Sequence, residues 1–351
     1  MPKMTMNKPH HTPHGMVLLG LVLLLLLASS GAVFSVWDAK GVKLERDKKT
    51  LAALAQAKAA LIGWSAANAN MPGTLPCPDT NNSGAAGSCG AASGIIGRLP
   101  WKTLGLKDLR DGDGECLWYA LSPIYRNTIA VGSRTGSNVL NSQVAAKITV
   151  RRADGVALAA PNNPVIAVII APRAALKNQV RGNSSSVCGG NTVATHYLDV
   201  ALGINNASGN VTAGNYNFIA GAKSDSFNDQ LTYIAAQEFY QIVHKRLLKE
   251  LLGLGLTHAG PIKYFDNNHV YPCPAATANG SSDCSRSNGF INNSGMGLQY
   301  AALGSWLTNN GWFAMTNYDY TSPSTIRLSL NSALGSYYCD ANANTINCDS
   351  P

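Results

Sequence analysis

The sequence predicts an α+β protein. A long N-terminal helix, transmembrane and then amphipathic, packs on an antiparallel sheet; a second helix-plus-sheet unit with disulfide-stapled loops follows. Three observations carry this expectation: an uncharged apolar run near the N-terminus, eight cysteines outside any metal-type spacing, and a Pro-Cys-Pro pattern that occurs twice.

The run Met16 to Trp37, MVLLGLVLLLLLASSGAVFSVW, contains no charge, and the first acidic residue of the chain is Asp38. As a helix it measures roughly 33 Å, enough to cross a ~30 Å hydrocarbon core. Residues 38–67 continue with strong helix formers and no proline. Leu44, Leu51, Leu54 and Leu61 mark an apolar stripe there, interrupted at Lys58. Asn68, Asn70, Pro72 and Gly73 end the helix.

Charged residues are 13% of the chain, about half the usual share, and Gly, Ser, Asn, Thr and Ala replace them. Lys3 and Lys8 precede the apolar run; beyond it 25 basic residues stand against 19 acidic ones without a dense block. That thin spread argues against a nucleic-acid partner. Lys40, Lys43, Arg46, Lys48 and Lys49 follow the run, so positive-inside counting favours a cytoplasmic body. The even cysteine count and the polar body favour export, and that argument prevails here. None of the cysteines forms a Cys-x-x-Cys pair. Sequence proximity pairs Cys77 with Cys89, Cys273 with Cys284 and Cys339 with Cys348, leaving Cys116 for Cys188.

The basic leader, Gly15, an apolar helix running into an amphipathic one and a disulfide-stapled body together resemble a type IV prepilin or a type II secretion pseudopilin. The resemblance implies that a prepilin peptidase cuts after Gly15 and methylates Met16. It implies assembly with other pilin-like subunits through the helix, in the inner membrane, with the body in the periplasm or on a filament. Most family members carry Glu at the fifth mature position, where this chain has Gly20, which resembles the minor, tip-located classes. Two other readings compete: a plain signal anchor, and a secretory signal cleaved near Ser30-Gly31-Ala32. A membrane-tethered or secreted adhesin outside any filament is the alternative function.

The body repeats an order of features. Leu75-Pro76-Cys77-Pro78 follows one helix, and Tyr271-Pro272-Cys273-Pro274 follows a helix-rich stretch that includes a predicted helix from Asn228 to Leu254. Residues 116–121 and 311–315 read as aromatic strands, and 147–151, 165–170, 192–201 and 211–220 as further strands. The expected division is a leader at 1–15, a span at 16–37, and pilin-like domains at 38–224 and 225–351. Gly97 to Trp101 and Phe227 to Ile234 also resemble segments of large pilin-like proteins.

Asp108, Asp111, Asp113 and Glu115 form the one dense carboxylate cluster, in a glycine-containing turn. It is a candidate calcium loop, since hard cations take several oxygens, and the position resembles the calcium loop of major pseudopilins. No catalytic motif is present, and the histidines 10, 11, 14, 196, 244, 258 and 269 include no metal-type pair outside the leader. The chain is therefore read as a non-enzyme without a cofactor other than possible calcium. Trp306, Trp312, Phe313, Tyr318, Tyr320, Tyr337 and Tyr338 are either a binding platform or core, with core preferred.

Overall fold

The computed structural model describes residues 14–349 except 91–94, 178, 183–187, 189, 213, 255–258, 293, 301 and 343–344; for 14–40, 302 and 349 it describes the backbone alone. The protein is a mixed α+β structure with antiparallel sheets and four disulfides. It divides into residues 1–49 and residues 50–351. Helix α1 is His14–Ala67. In the first unit, side chains from Gly41 to Lys49 are exposed on every side except at Asp47, which is partly covered.

Within the second unit, α1 buries Thr50, Ala53, Leu54, Ala57, Leu61 and Ser65. At 100° per residue these positions fall in one arc facing the core. Leu51, expected on the same stripe, lies roughly a quarter-turn away and is 56% exposed; Leu44, in the first unit, is 57% exposed. The short residues Ala53 and Ala57 form part of the packed face instead.

The first sheet contains β1 (Ile96–Arg98), β2 (Trp118–Leu121), β3 (Ile148–Arg152), β4 (Val165–Ala171), then, beyond the small hairpin of β5 (Val200–Ala201) and β6 (Ile204–Asn205), β7 (Tyr216–Ala220) and β8 (Gln230–Ala235). The path runs β1-β2-β4-β3-β7, with β8 also paired to β4. All pairs are antiparallel except β3 with β7. Strand β4, VIAVIIA, is buried throughout. From Ala167 onward alternation sends Ala167, Ile169 and Ala171 toward the helices and Val168 and Ile170 toward a second cluster with Trp118, Tyr197 and Phe218; a register shift between Val165 and Ala167 leaves Ile166 in the first cluster and Val165 in the second. Burial on both faces explains the unbroken run of β-branched residues.

Residues 228–254 do not form one helix. Gln230–Ala235 is strand β8, and only then does α2 (Ala236–Leu252) begin. Glu238 in the first turn of α2 accepts the Ala235 N–H at 2.8 Å. At the other end Gly253 is left-handed at φ 93°, Leu254 N–H donates to Lys249 O, and Gly253 N–H donates to Glu250 O, which closes a Schellman cap. The boundary expected between 224 and 225 thus precedes a strand that completes the first sheet.

Helix α3 (Gly260–Asn268), β9 (Asn288–Phe290), α4 (Ala302–Asn309) and α5 (Trp312–Met315) lead to β10 (Thr316–Ser322), β11 (Thr325–Ser332), β12 (Gly335–Asn342) and β13 (Ile346–Asp349). Residues 312–315, expected as a strand, are a short helix before β10. The second sheet is antiparallel in the order β13-β12-β11-β10-β9. Its inward residues Tyr318, Ile326, Leu328, Leu330, Tyr337 and Ala341 share one core with α1, α2 and the first sheet. The helix-plus-sheet halves are therefore joined through a common interior.

Candidate functional site

Gly15 and Met16 lie in the first turn of α1. Their side chains, those of the apolar run, and residues 1–13 fall outside the described part. Among the described residues no helix is long and apolar enough to cross a membrane. Lys58, the break in the predicted stripe, has a structural role: its Nζ lies 2.7 Å from Glu238 Oε1 and 5.9 Å from the Tyr233 ring centre. The lysine joins α1 to the start of α2.

The acidic loop is wired to the protein itself. Asp108 accepts from Arg110 Nε and Nη2 at 2.9 and 2.7 Å. Asp111 is buried; it accepts the N–H groups of Asp113, Glu115 and Arg173 at 2.9, 3.0 and 2.8 Å. Burial pushes its pKa up, against those three donors. Asp113 pairs with Arg173 Nε at 2.8 Å, both nearly enclosed, and Glu115 lies 3.3 Å from Arg181. Gly112 N–H donates to Thr50 Oγ1 at 2.9 Å, so the loop also grips a buried residue of α1.

The four carboxylates expected to share calcium do not converge. Among the described residues, the one cluster with metal-type proximity is Asp108 with Cys116 and Cys188. Those sulfurs are bonded to each other and hold no lone thiolate to offer. The loop's carboxylates serve arginines and amides, which sequence spacing alone did not show because Arg173 and Arg181 are some 60 residues distant.

Two buried polar groups escaped the sequence reading. Arg98 is 1% exposed, with its guanidinium carbon 4.4 Å from the Trp118 ring centre and 4.1 Å from that of Tyr197. It donates to Cys116 O at 3.1 Å, and burial lowers its pKa. Tyr197 and the Glu115 carboxylate act against that lowering, and the aromatic faces favour the cation. Asp199 and Asp229 cross-link their own backbones: Asp199 N–H donates to Asp229 Oδ2, and Asp229 N–H to Asp199 Oδ2. Burial and the neighbouring Asp199 push the pKa of Asp229 up.

The Pro-Cys-Pro pattern is duplicated in atomic detail. Asp79, just after the first, exchanges both backbone hydrogen bonds with Arg98 at 2.9 and 2.8 Å; Ala275, just after the second, does so with Phe290 at 3.0 and 2.9 Å. The preceding glycines, Gly97 and Gly289, sit where an added Cβ would come within 2.6 Å of Asp79 O and 2.4 Å of Ala275 O. Each glycine strand then pairs with a tyrosine strand, Gly97 opposite Tyr119 and Gly289 opposite Tyr318. The bonded cysteines are Cys77–Cys89, Cys116–Cys188, Cys273–Cys284 and Cys339–Cys348.

Of the C-terminal aromatics, Trp306, Trp312, Phe313, Tyr318 and Tyr337 are buried and form core. Tyr338 stands outside, 4.4 Å from Arg327, which pairs with Asp340. His244 is buried among Tyr240, Trp312 and Tyr337, without a hydrogen-bond partner for either ring nitrogen. His196 lies in a 3-10 turn, where a strand was expected, and His269 caps α3. No nucleophile–base–orienter arrangement emerges from these groups.

No protein-family model, curated protein or solved structure matches this chain.

Proposed function

We propose that the chain is a minor pilin-like or pseudopilin-like subunit of a type IV pilus or type II secretion-type filament, anchored in the inner membrane by its N-terminal helix. The observation that supports this reading is α1: its sequence carries a 22-residue uncharged, mainly apolar run from Met16 to Trp37, and its later turns bury one face against a disulfide-stapled α+β body. A helix built this way offers lipid or neighbouring helices one half and its own domain the other. In lipid, helix association rests on close packing, which Gly20, Ser29, Ser30 and Gly31 permit. The subunit's work is structural, and the arginine-bound carboxylates of the acidic loop suit it. Prepilin peptidase is the processing partner, acting between Gly15 and Met16.

N-terminal sequencing with mass spectrometry of the native protein tests the proposal. A mature chain starting at N-methylated Met16 is expected. A start near Val33 points to a secreted protein, and an intact leader to a plain anchor; either result removes the filament reading and leaves the adhesin alternative.

A further inference from the structure

The Cys116–Cys188 bond closes the widest of the four cystine loops, tying the chain just before β2 to the segment between β4 and β5. Both cysteines are buried. One oxygen of Asp108, Oδ1, lies 3.4 Å from Cys116 Sγ and 3.1 Å from Cys188 Sγ. Its other oxygen, Oδ2, takes both bonds from Arg110. A cystine has no S–H to donate, so the sulfurs give this carboxylate no hydrogen bond. Of the three side chains Asp108 is the one that reaches solvent, at 25% exposure. Among the described residues no other cystine has an acidic side chain this close to both of its sulfurs.

A thiol opens a cystine by exchange. Its thiolate attacks one sulfur, a new S–S bond forms there, the old bond breaks, and the electron pair leaves on the second sulfur as a thiolate. A second thiolate then attacks the mixed disulfide and frees the other cysteine. Negative charge thus arrives at one sulfur and departs on its partner. Asp108 faces both, so attack on either cysteine builds charge beside a carboxylate, where like charges repel. Arg110 offsets part of this from the far oxygen.

We propose that Asp108 guards the Cys116–Cys188 cystine against thiols, so that the widest loop stays closed when a small thiol reductant reaches the body. The guard is a property of the body alone and does not depend on how the leader is processed.

Timed reduction of the full chain in detergent tests it, with each cystine followed by alkylation and peptide mass spectrometry. Two reductants are compared at equal thiolate concentration: anionic mercaptoethanesulfonate and cysteamine, whose ammonium group answers the carboxylate. Asp108→Asn removes the charge and keeps an acceptor for Arg110. The variant is expected to open Cys116–Cys188 about tenfold faster with mercaptoethanesulfonate and under about threefold faster with cysteamine. Cys273–Cys284, whose Cys284 is exposed, serves as the reference in the same molecule and should keep its rate. Equal rates in parent and variant overturn the proposal. So does the same acceleration with both reductants, or a faster reference bond, because a loosened body rather than a lost charge produces those.

Discussion

His244 offers a sharp test of how the two sheets are held together. Its ring lies 4.8 Å from Tyr337 on β12, 5.7 Å from Trp312 on α5 and 5.3 Å from Tyr240 on its own helix. Desolvation lowers its pKa from the ordinary 6.5 to about 3. The folded protein therefore keeps this imidazole neutral across a range in which the unfolded chain protonates it. Stability is fully present above pH 6.5 and is lost as pH falls toward 3, because the unfolded state binds the extra proton. At pH 5 the loss from this one group is about 2 kcal/mol. His244→Phe fills the same aromatic box, removes two unpartnered nitrogens and removes the acid-driven loss. Asp111, Asp199 and Asp229 act with the opposite sign: their raised folded pKa values mean stability is lost as pH rises through them. They remain in the variant, so it should gain relative to the parent as pH falls from 7 to 5. Urea unfolding of the full chain in detergent, followed by tryptophan fluorescence, measures this difference. If the two proteins lose stability equally between pH 7 and 5, the buried-neutral account of His244 is wrong.

Three other outcomes follow from the geometry. Leu61→Ala should cost about 2–4 kcal/mol in urea unfolding and Leu51→Ala under about 0.5 kcal/mol, because the first side chain is 0% exposed and the second 56%. Asp111→Ala should cost about 2–3 kcal/mol by leaving three amides without their acceptor, while the parent's thermal midpoint should be the same in EGTA and in millimolar calcium; a rise with calcium contradicts the arginine-bound account of the loop. Gly97→Ala and Gly289→Ala should each lower the yield of folded protein, since both place a Cβ against a backbone oxygen; normal folding of either removes the close-approach argument for that copy.

Features governed by local spacing were legible in the sequence. The α1 segment, the buried strand at 165–171 and the short cysteine loops all depend on residues near one another in the chain, and nearest-neighbour cysteine pairing coincides with the four bonds in the structure. Features set by tertiary partners were not. The segment 230–235 carries helix-compatible spacing, yet β4 offers it a full antiparallel edge and the backbone pairs there. Leu51 has the same chemistry as Leu54, but only the latter's direction meets the core. In the acidic loop the residue types suggested a cation, and Arg173 and Arg181, remote in sequence, supplied it. Strands β10 to β12 alternate core-facing residues such as Ile326, Leu328 and Leu330 with polar outward ones, a period-2 pattern that the strands expected from the sequence did not include.

The placement of the cystines bears on how the body would answer a pull. Tension entering at Thr50 and leaving at the far end meets four covalent loops, the widest enclosing residues 116 to 188. Chain inside those loops cannot lengthen while the sulfurs stay joined. A stretched subunit would therefore yield less slack than its residue count suggests, and adding reductant would release the remainder in discrete steps.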